Sequence, residues 1–205
     1  MTMRKNSDVS GLASEIARLF TEEDLKAAGA APVERWSPPD CGAIDMEIRR
    51  DGSWYYMQTP ITREALVRLF ASVLRKDEDG ETYLVTPVEK VRIRVEDAAF
   101  LAVELKITEK DGAPLLAIRT NTGNIVEIDA DHPLRFALEG DDGALKPYVR
   151  VRGRLEALFS RALVHDLVAL GEEADIDGEA MFAIRSGGAV FPVMRMKDIG
   201  DGTDE

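Results

Sequence analysis

Apolar and polar residues alternate along most of the chain, and this period of two predicts antiparallel β-strands. Short turns containing glycine, such as Asp51-Gly52, separate the alternating segments, as hairpins require. The predicted strands are 44–48, 54–57, 83–86, 91–95, 100–108, 115–120, 125–129, 134–138, 148–152, 179–185 and 189–194.

Two segments between the strands carry apolar residues at helical spacing instead. The first helix follows Thr62, and the second is predicted over residues 154–170. Their buried stripes are Leu66, Leu69, Phe70, Val73 and Leu74, and Leu155, Leu158, Phe159, Ala162, Leu163, Leu167 and Leu170. Two further helices are predicted within residues 8–28, before a proline-rich strap at residues 30–40.

A shift of about ninety residues superposes one half of this pattern on the other. It places Asp142-Gly143 on Asp51-Gly52, and the apolar positions from Leu155 to Leu163 on those from Leu66 to Leu74. Each copy then has the order hairpin, helix, hairpin, which favours an internal duplication. The alternative is that two segments of this type share turn glycines and leucine stripes by coincidence.

The predicted fold class is therefore α+β, with duplicated hairpin-helix-hairpin units and antiparallel sheets. Four regions are expected along the chain. They are the N-terminal helices and proline-rich strap (1–43), the first repeat domain (44–95), a β-rich C-terminal domain that contains the second repeat (96–196) and an acidic tail (197–205).

Composition narrows the range of functions. The 205 residues carry a net charge of −12, which disfavours binding to a nucleic acid polymer or an anionic membrane, because both need a basic surface. The single cysteine, Cys41, excludes an internal disulfide and indicates a reducing compartment. No secretory signal and no apolar run of about 18 residues is present, so we expect a soluble cytoplasmic protein. The oligomeric state stays open.

Two predicted strands carry cations at every second position, which places those side chains on one face of the strand. Lys90, Arg92 and Arg94 form the first ladder, and Tyr148, Arg150 and Arg152 form the second. If both ladders faced one cleft, their guanidinium groups could bind phosphate oxygens in pairs, with aromatic rings available for stacking a base. The alternative, favoured for either ladder alone, is a solvated strand face balanced by carboxylates on neighbouring strands.

Common catalytic and cofactor-binding signatures are absent. The sequence contains no phosphate-binding glycine loop, no G-x-S-x-G elbow and no H-E-x-x-H motif, and Cys41 lies in no known nucleophile signature. The only metal-ligand candidates, Asp129, Asp131, His132 and His165, lack a ligand spacing. We therefore predict no catalytic residue, no metal and no cofactor, and an enzyme is the less favoured class.

Several strings identify a family resemblance. Residues 41–48 (C-G-A-I-D-M-E-I), 51–61 (D-G-S-W-Y-Y-M-Q-T-P-I) and 84–93 (L-V-T-P-V-E-K-V-R-I), with the later T-N-T-G-N and D-H-P-L, resemble the bacterial family catalogued as domain of unknown function 1285. The resemblance covers roughly residues 36–194. It implies a two-part fold with duplicated motifs and a barrel-like C-terminal part, superficially similar to pleckstrin-homology domains. It also implies a nucleotide-based ligand between the parts and a role in signal transduction, without established catalytic residues.

These observations lead to a prediction and an alternative. We predict a cytoplasmic ligand-binding regulatory protein that holds a nucleotide-like anion in the cleft between two repeat domains. The predicted ligand-binding residues are Lys90, Arg92, Arg150 and Arg152 for the phosphates, with Arg63, Tyr56, Glu89 and Tyr148 nearby. The alternative is a protein-protein interaction module without a small-molecule ligand, in which sheet edges or the barrel-like part dock a peptide.

Overall fold

The computed structural model describes residues 31–140 and 143–199, together with Gly11 and Ser14. Apart from the helical Gly11 and Ser14, the helices predicted within 8–28 lie outside the described residues, as do residues 141 and 142 and the tail from residue 200 onward. The chain divides into two compact units. Unit 1 comprises Met1–Ala99, Thr122–Asn124 and Gly153–Leu155, and unit 2 comprises Phe100–Asn121, Ile125–Arg152 and Glu156–Glu205.

From residue 31 onward, the described part of unit 1 is a six-stranded sheet with one α-helix and a short 3-10 helix at Val33–Arg35. Its elements are β1 (Asp40–Ile48), β2 (Trp54–Tyr56), β3 (Thr59–Pro60), α1 (Glu64–Ser72), β4 (Leu74–Lys76), β5 (Thr82–Val85) and β6 (Lys90–Val95). The strand order is β3-β2-β1-β6-β5-β4. Only the central pair, β1 and β6, is parallel, and the other neighbours are antiparallel.

Alternation along these strands builds the core of unit 1. Ile48 lies opposite Trp54 and Leu84 lies opposite Val91, and all four side chains are buried. The Trp54 ring stacks on Phe70 of α1 with 6.2 Å between ring centroids. Burial of each such side chain stabilises the fold by about 1.5–3 kcal/mol. The apolar face of the sheet is therefore the face that packs against α1.

Unit 2 contains two sheets and one α-helix. Its elements are β7 (Phe100–Lys110), β8 (Ala113–Thr120), β9 (Ile125–Glu127), β10 (Leu134–Glu139), β11 (Ala144–Arg152), β12 (Leu155–Phe159), α2 (Arg161–Val168), β13 (Glu172–Ile176), β14 (Glu179–Ser186) and β15 (Ala189–Arg195). Six strands form one sheet in the order β10-β11-β12-β7-β8-β9, and β13-β14-β15 form the other. The pair β12 and β7 is parallel.

The helix predicted over residues 154–170 is wrong in its first third. Residues Leu155–Phe159 form strand β12, and the helix begins only at Arg161. Four of the five β12 side chains are buried, and only Glu156 is polar, so the segment lacks the strict alternation of a half-buried strand. Periodicity alone cannot distinguish such a segment from part of a helix. The predicted superposition of 155–159 on the α1 stripe is wrong for the same reason.

A shorter correspondence between the two halves does exist. Each α-helix is followed by three consecutive antiparallel strands, β4-β5-β6 after α1 and β13-β14-β15 after α2. Asp79-Gly80 and Asp177-Gly178 occupy the turn between the first and second strand of each set. These two turns therefore occupy equivalent positions in the two halves.

The helices bury only a few residues each. Leu69, Phe70 and Ala71 of α1 are buried, and Leu163 and Leu167 of α2 are buried. The last two residues of the predicted α1 stripe, Val73 and Leu74, are buried as well, but they lie beyond the end of the helix. No helix in the described part of the chain is long and apolar enough to cross a membrane.

A buried serine joins the two sheets of unit 2. The hydroxyl of Ser186 accepts a hydrogen bond from the Leu116 amide (2.8 Å) and donates one to the Ile128 carbonyl (2.6 Å). The next amide, of Gly187, donates to the Pro114 carbonyl at 3.0 Å. Both hydrogen-bonding functions of the hydroxyl are satisfied inside the protein, so the turn between β14 and β15 is fixed against the larger sheet.

Gly171 gives a direct test of packing in unit 2. A Cβ atom at this position would lie 1.9 Å from Cζ of Phe182, so Gly171→Ala has to displace the ring. We expect the substitution to lower the free energy of unfolding by roughly 1–3 kcal/mol, as overpacking does. Chemical denaturation measures the effect. Phe182→Leu removes the clashing ring atoms, so the two substitutions together should destabilise less than the sum of each alone. Full additivity would contradict this packing.

Candidate functional site

The predicted basic ladder of unit 1 lies on the polar face of the sheet, opposite α1. Val91 and Ile93 of β6 are buried, while the residues between and beside them, Lys90, Arg92 and Arg94, point to the other face. Which of these three cations can bind a ligand depends on the carboxylates that surround each of them.

Asp77 neutralises the first cation of the ladder. Its carboxylate accepts hydrogen bonds from Lys90 Nζ (2.7 Å), from Arg75 Nε (2.5 Å) and from Arg75 Nη2 (3.2 Å). Burial raises the pKa of Asp77, but the hydrogen bonds and charges of Arg75 and Lys90 outweigh it, so the pKa lies below the ordinary 3.8. One carboxylate thus serves two cations.

The ring of Tyr83 packs against the Lys90 ammonium group. The Lys90 ammonium lies 4.3 Å from the centroid of the Tyr83 ring, a cation-π contact. The Tyr83 hydroxyl donates to Asp79 Oδ2 at 2.8 Å. This hydrogen bond, together with burial, raises the pKa of Tyr83 to about 12. The Glu81 amide and the Tyr83 hydroxyl lower the pKa of Asp79, so at neutral pH the phenol is protonated and the carboxylate is ionised.

Arg75 connects this network to the proline-rich strap. Its Nη1 donates to the carbonyl oxygens of Val33 and Trp36, each at 2.8 Å, while its other nitrogens bind Asp77. Further along, the Lys90 amide donates to the Pro39 carbonyl at 3.0 Å. The strap is therefore fixed at several points to β4 and β6.

Arg94, at the other end of the ladder, is paired as well. Its guanidinium donates to Glu47 of β1 and lies 3.9 Å from Glu96. Glu47 is only 5% exposed, and hydrogen bonding by Arg94 lowers its pKa despite that burial. Arg49 lies 3.8 Å from the same carboxylate. Arg94 thus completes an ion cluster on β1 and β6.

Arg92 differs from both neighbours. It is exposed, its Cα partners are Ala43 on β1 and Tyr83 on β5, and it forms no ion pair within residues 31–140 and 143–199. The same holds for the exposed Arg63, which is the N-terminal cap residue of α1. Of the predicted cations in unit 1, these two retain the capacity to bind an external anion.

In unit 2 the predicted ladder lies on β11. Tyr148 is 7% exposed, and Arg135 lies 4.1 Å from its ring centroid while donating two hydrogen bonds to Glu156 (3.0 and 2.7 Å). Arg152 is half-buried, with its guanidinium 5.0 Å from the Phe100 ring centroid. Arg150 is exposed and forms no ion pair among the described residues. Arg150 is thus the counterpart of Arg92.

The two remaining predicted residues are Glu89 and Tyr56. Glu89 closes the turn before β6, where its amide donates to Thr86 Oγ1 (3.1 Å) and its carbonyl accepts from the Thr86 amide (2.9 Å). Tyr56 is half-buried at the end of β2. The structure brings Glu89, Lys90 and Arg92 together on one strand and its turn, and Tyr148, Arg150 and Arg152 on another.

A cleft of about 400 Å³ lies elsewhere in unit 1. None of the eight predicted residues lines it. Its lining residues are Glu34, Trp36, Ser37, Arg75, Asp77, Glu78, Asp79 and Arg154, all of which belong to unit 1. Four carboxylates face two guanidinium groups, and Arg154 pairs with Glu78 at 2.8 Å between two exposed side chains. Three of its lining residues, Glu34, Trp36 and Ser37, lie in the predicted proline-rich strap.

Three of the four candidate metal ligands form a turn, and the fourth, His165, lies on α2. Asp129 Oδ1 accepts hydrogen bonds from the amides of Asp131 and His132, both at 2.9 Å, and lies 3.2 Å from His132 Nδ1. Burial raises the pKa of Asp129, but the hydrogen bonds from His132 and Asp131 outweigh it, so the pKa lies below its ordinary value. Over the described residues no group of three or more His, Cys, Asp or Glu side chains could hold a metal ion.

Asp77 makes the stability of unit 1 depend on pH. Because its pKa is lower in the folded state, its contribution is complete above pH 3.8 and is lost as the pH falls through the folded-state value. Asp77→Asn leaves Arg75 and Lys90 without their counterion, so we expect a loss of roughly 1–3 kcal/mol at pH 7. Denaturation curves at pH 7 and pH 3 check this. The loss should shrink at pH 3, and an equal loss at both pH values would contradict the shared ion pair.

Two family models match this chain. The model described as "Domain of unknown function (DUF1285), N-terminal domain" matches residues 31–98, and that described as "Protein of unknown function (DUF1285), C-terminal domain" matches residues 99–193.

Solved structures give a consistent comparison. The chain is similar to a DUF1285 family protein from Silicibacter pomeroyi DSS-3, with a TM-score of 0.82 and 38% identity over 95% of this chain and 99% of that one. It is also 30% identical to a DUF1285 family protein from Shewanella baltica OS155, over 60% of this chain and 90% of that one, with a TM-score of 0.49. No curated protein matches the chain.

Proposed function

This chain belongs to the DUF1285 family, whose members are described as having unknown function. From its residues we propose that it is a cytoplasmic regulatory protein that binds a nucleotide-like small molecule in signal transduction. The protein acts by binding and not by catalysis. Its ligand carries a phosphate group, which exposed arginines recognise.

The observation that carries this proposal is the state of Arg92. Its neighbours on the same strand face, Lys90 and Arg94, are held by Asp77 and Glu47, whereas Arg92 is exposed and has no carboxylate partner among the described residues. A guanidinium group can offer two parallel N–H donors to phosphate oxygens, and such bonds are stronger than those between neutral groups. The paired flanks hold the strand in place, so the Arg92 backbone is pre-organised for a ligand.

Arg150 supports the same function in unit 2. It too is exposed, lies on a basic strand and forms no ion pair among the described residues. Tyr148, by contrast, has its ring in contact with Arg135, so we assign it to the structure of unit 2 and not to base stacking.

We also propose that the two halves descend from a duplicated unit and that the C-terminal part is a barrel-like, pleckstrin-homology-like domain. The helix followed by three antiparallel strands, present in both halves, supports the first idea. The six-stranded sheet of unit 2 supports the second.

A thermal-shift panel of nucleotides and cyclic nucleotides tests the binding function. A ligand at 100 times its Kd should stabilise the protein by about 2.7 kcal/mol, which raises the Tm by several degrees. We expect Arg92→Ala or Arg150→Ala to weaken binding by roughly 10-fold or more, the cost of one charge-assisted hydrogen bond.

Arg68→Ala is the matched control, because Arg68 is equally exposed but pairs with Glu64 within α1. It should leave the thermal shift unchanged. The proposal fails if no member of the panel raises the Tm, or if the shift survives in both Arg92→Ala and Arg150→Ala.

A second candidate function is peptide docking at the edges of the six-stranded sheet of unit 2. The edge strands β9 and β10 carry Ile125 and Leu138, which are 75% and 66% exposed. An extended peptide could add a strand at such an edge and cover these side chains.

The peptide-docking function predicts a binding partner that depends on these two residues. A protein that co-purifies with the wild-type chain should not co-purify with the double variant Ile125→Lys/Leu138→Lys, because the charged lysines disrupt the apolar contact. The matched control is Lys106→Ala on β7 of the same sheet, which should retain the partner. Retention of the partner by the double lysine variant would rule out docking at these edges.

A further inference from the structure

We propose that the cleft of unit 1 binds an uncharged guanine-type ring, with the ring against Trp36 and its two adjacent N–H donors on the Asp79 carboxylate. This inference rests on the proposed function only for the nucleotide-like character of the ligand. It names the part of the ligand that enters the cleft and the residues that select it.

The cleft has the dimensions of a small-ligand site. Its volume of about 400 Å³ falls within the usual range of roughly 300–1,000 Å³ for such pockets. Trp36 supplies an aromatic surface, and the Arg75 hydrogen bond to the Trp36 carbonyl holds the backbone at that position. Aromatic side chains of this kind stack bases without regard to their identity, so Trp36 contributes affinity but little selectivity.

The charge of the cleft decides which part of a nucleotide can enter. Glu34, Asp77, Glu78 and Asp79 outnumber Arg75 and Arg154, and both arginines already bind carboxylates. A phosphate group placed here would be repelled by the excess of negative charge. A neutral ring with exposed N–H groups would instead meet an acceptor-rich surface, so the cleft suits the base and not the phosphate.

Asp79 is the carboxylate best placed for this role. Its Oδ1 accepts one hydrogen bond from the Glu81 amide (2.9 Å) and its Oδ2 accepts one from the Tyr83 hydroxyl (2.8 Å). Each oxygen of an ionised carboxylate can accept about two hydrogen bonds, so one position on each oxygen stays available. Within the described part of the chain no cation forms an ion pair with it, unlike Asp77 and Glu78. Two bonds from Glu81 and Tyr83 also fix its orientation before a ligand arrives.

The chemistry of the bases then gives the selectivity. Guanine presents N1–H and N2–H₂ side by side, and these two donors match the two oxygens of a carboxylate. Adenine and cytosine place a ring nitrogen lone pair beside their amino group, and a carboxylate repels that lone pair. Hypoxanthine has N1–H but lacks the 2-amino group, and uracil offers one N–H between two carbonyl oxygens. Only the guanine edge makes two charge-assisted hydrogen bonds.

Titration of the full chain with uncharged nucleosides, followed by NMR or calorimetry, tests this assignment. We expect guanosine to bind at least tenfold more tightly than inosine, adenosine or uridine. Asp79→Asn exchanges one acceptor for a donor at nearly constant size and should remove the preference for guanosine over inosine. Trp36→Ala should weaken binding of every nucleoside. Asp177→Asn, in an exposed turn of unit 2, is the matched control and should change nothing.

The nucleosides carry no phosphate, so the result is independent of Arg92 and Arg150. Equal affinity for guanosine and inosine, or an unchanged guanosine preference in Asp79→Asn, overturns the assignment of the cleft. If nucleotides nevertheless raise the Tm and Arg92→Ala abolishes this effect, the proposed function stands and only the assignment of guanine to the cleft fails. If guanosine binds through Asp79 but no nucleotide effect depends on either arginine, the cleft is confirmed and the arginine-based function fails.

Discussion

Each unit depends on one pair of parallel strands that are distant in sequence. In unit 1 the first strand, β1, pairs with the last, β6, and in unit 2 the first strand, β7, pairs with β12. Parallel neighbours cannot be joined by a tight turn, so the chain between them has to form a crossover. In unit 1 that crossover contains β2, β3, α1, β4 and β5. All hairpins of this unit are therefore arranged around a contact that no local signal specifies.

The β1-β6 pair also determines the electrostatics of the polar face. It places Glu47 opposite Arg94 and Asp40 opposite Lys90, so carboxylates from one strand lie beside cations from the other. The turn after β4 then brings Asp77 to Lys90 and Arg75. Carboxylates of this acidic protein therefore hold the cations of β6 in place. Arg92 lies opposite Ala43, which has no carboxylate, so it is not paired in this way.

Local patterns in the sequence predicted much of this fold. Hairpin turns and alternation identified most strands of both units, because these signals lie within a few residues. The sequence pattern assigns β4 to the end of a helix and β12 to the beginning of one, because the leucines of these segments also fit helical spacing. Strand β13 was missed because three of its five residues are Glu or Asp, which are depleted in strands.

The candidate sites were harder to predict because their residues are brought together by contacts between segments that are remote in sequence. Alternation placed Lys90, Arg92 and Arg94 on one face, but their partners Asp77 and Glu47 depend on strand register and on a turn remote in sequence. The cleft joins residues 34–37, 75–79 and 154, which are not related by any spacing in the chain. The prolines predict the strap that carries Trp36, whereas the carboxylates around this cleft belong to no sequence motif.

The environment of Lys90 has a consequence for the chemistry of this protein in solution. Its side chain is only 18% exposed, and its ammonium group lies over the Tyr83 ring and donates a hydrogen bond to Asp77. Acylating reagents need a free amine with room for attack, so the Lys90 amine is shielded in the folded protein while the more exposed lysines Lys110 and Lys197 are not. The extent of acylation at the Lys90 amine therefore reports how often Asp77, in the β4-β5 turn, moves away from Lys90 in the folded protein.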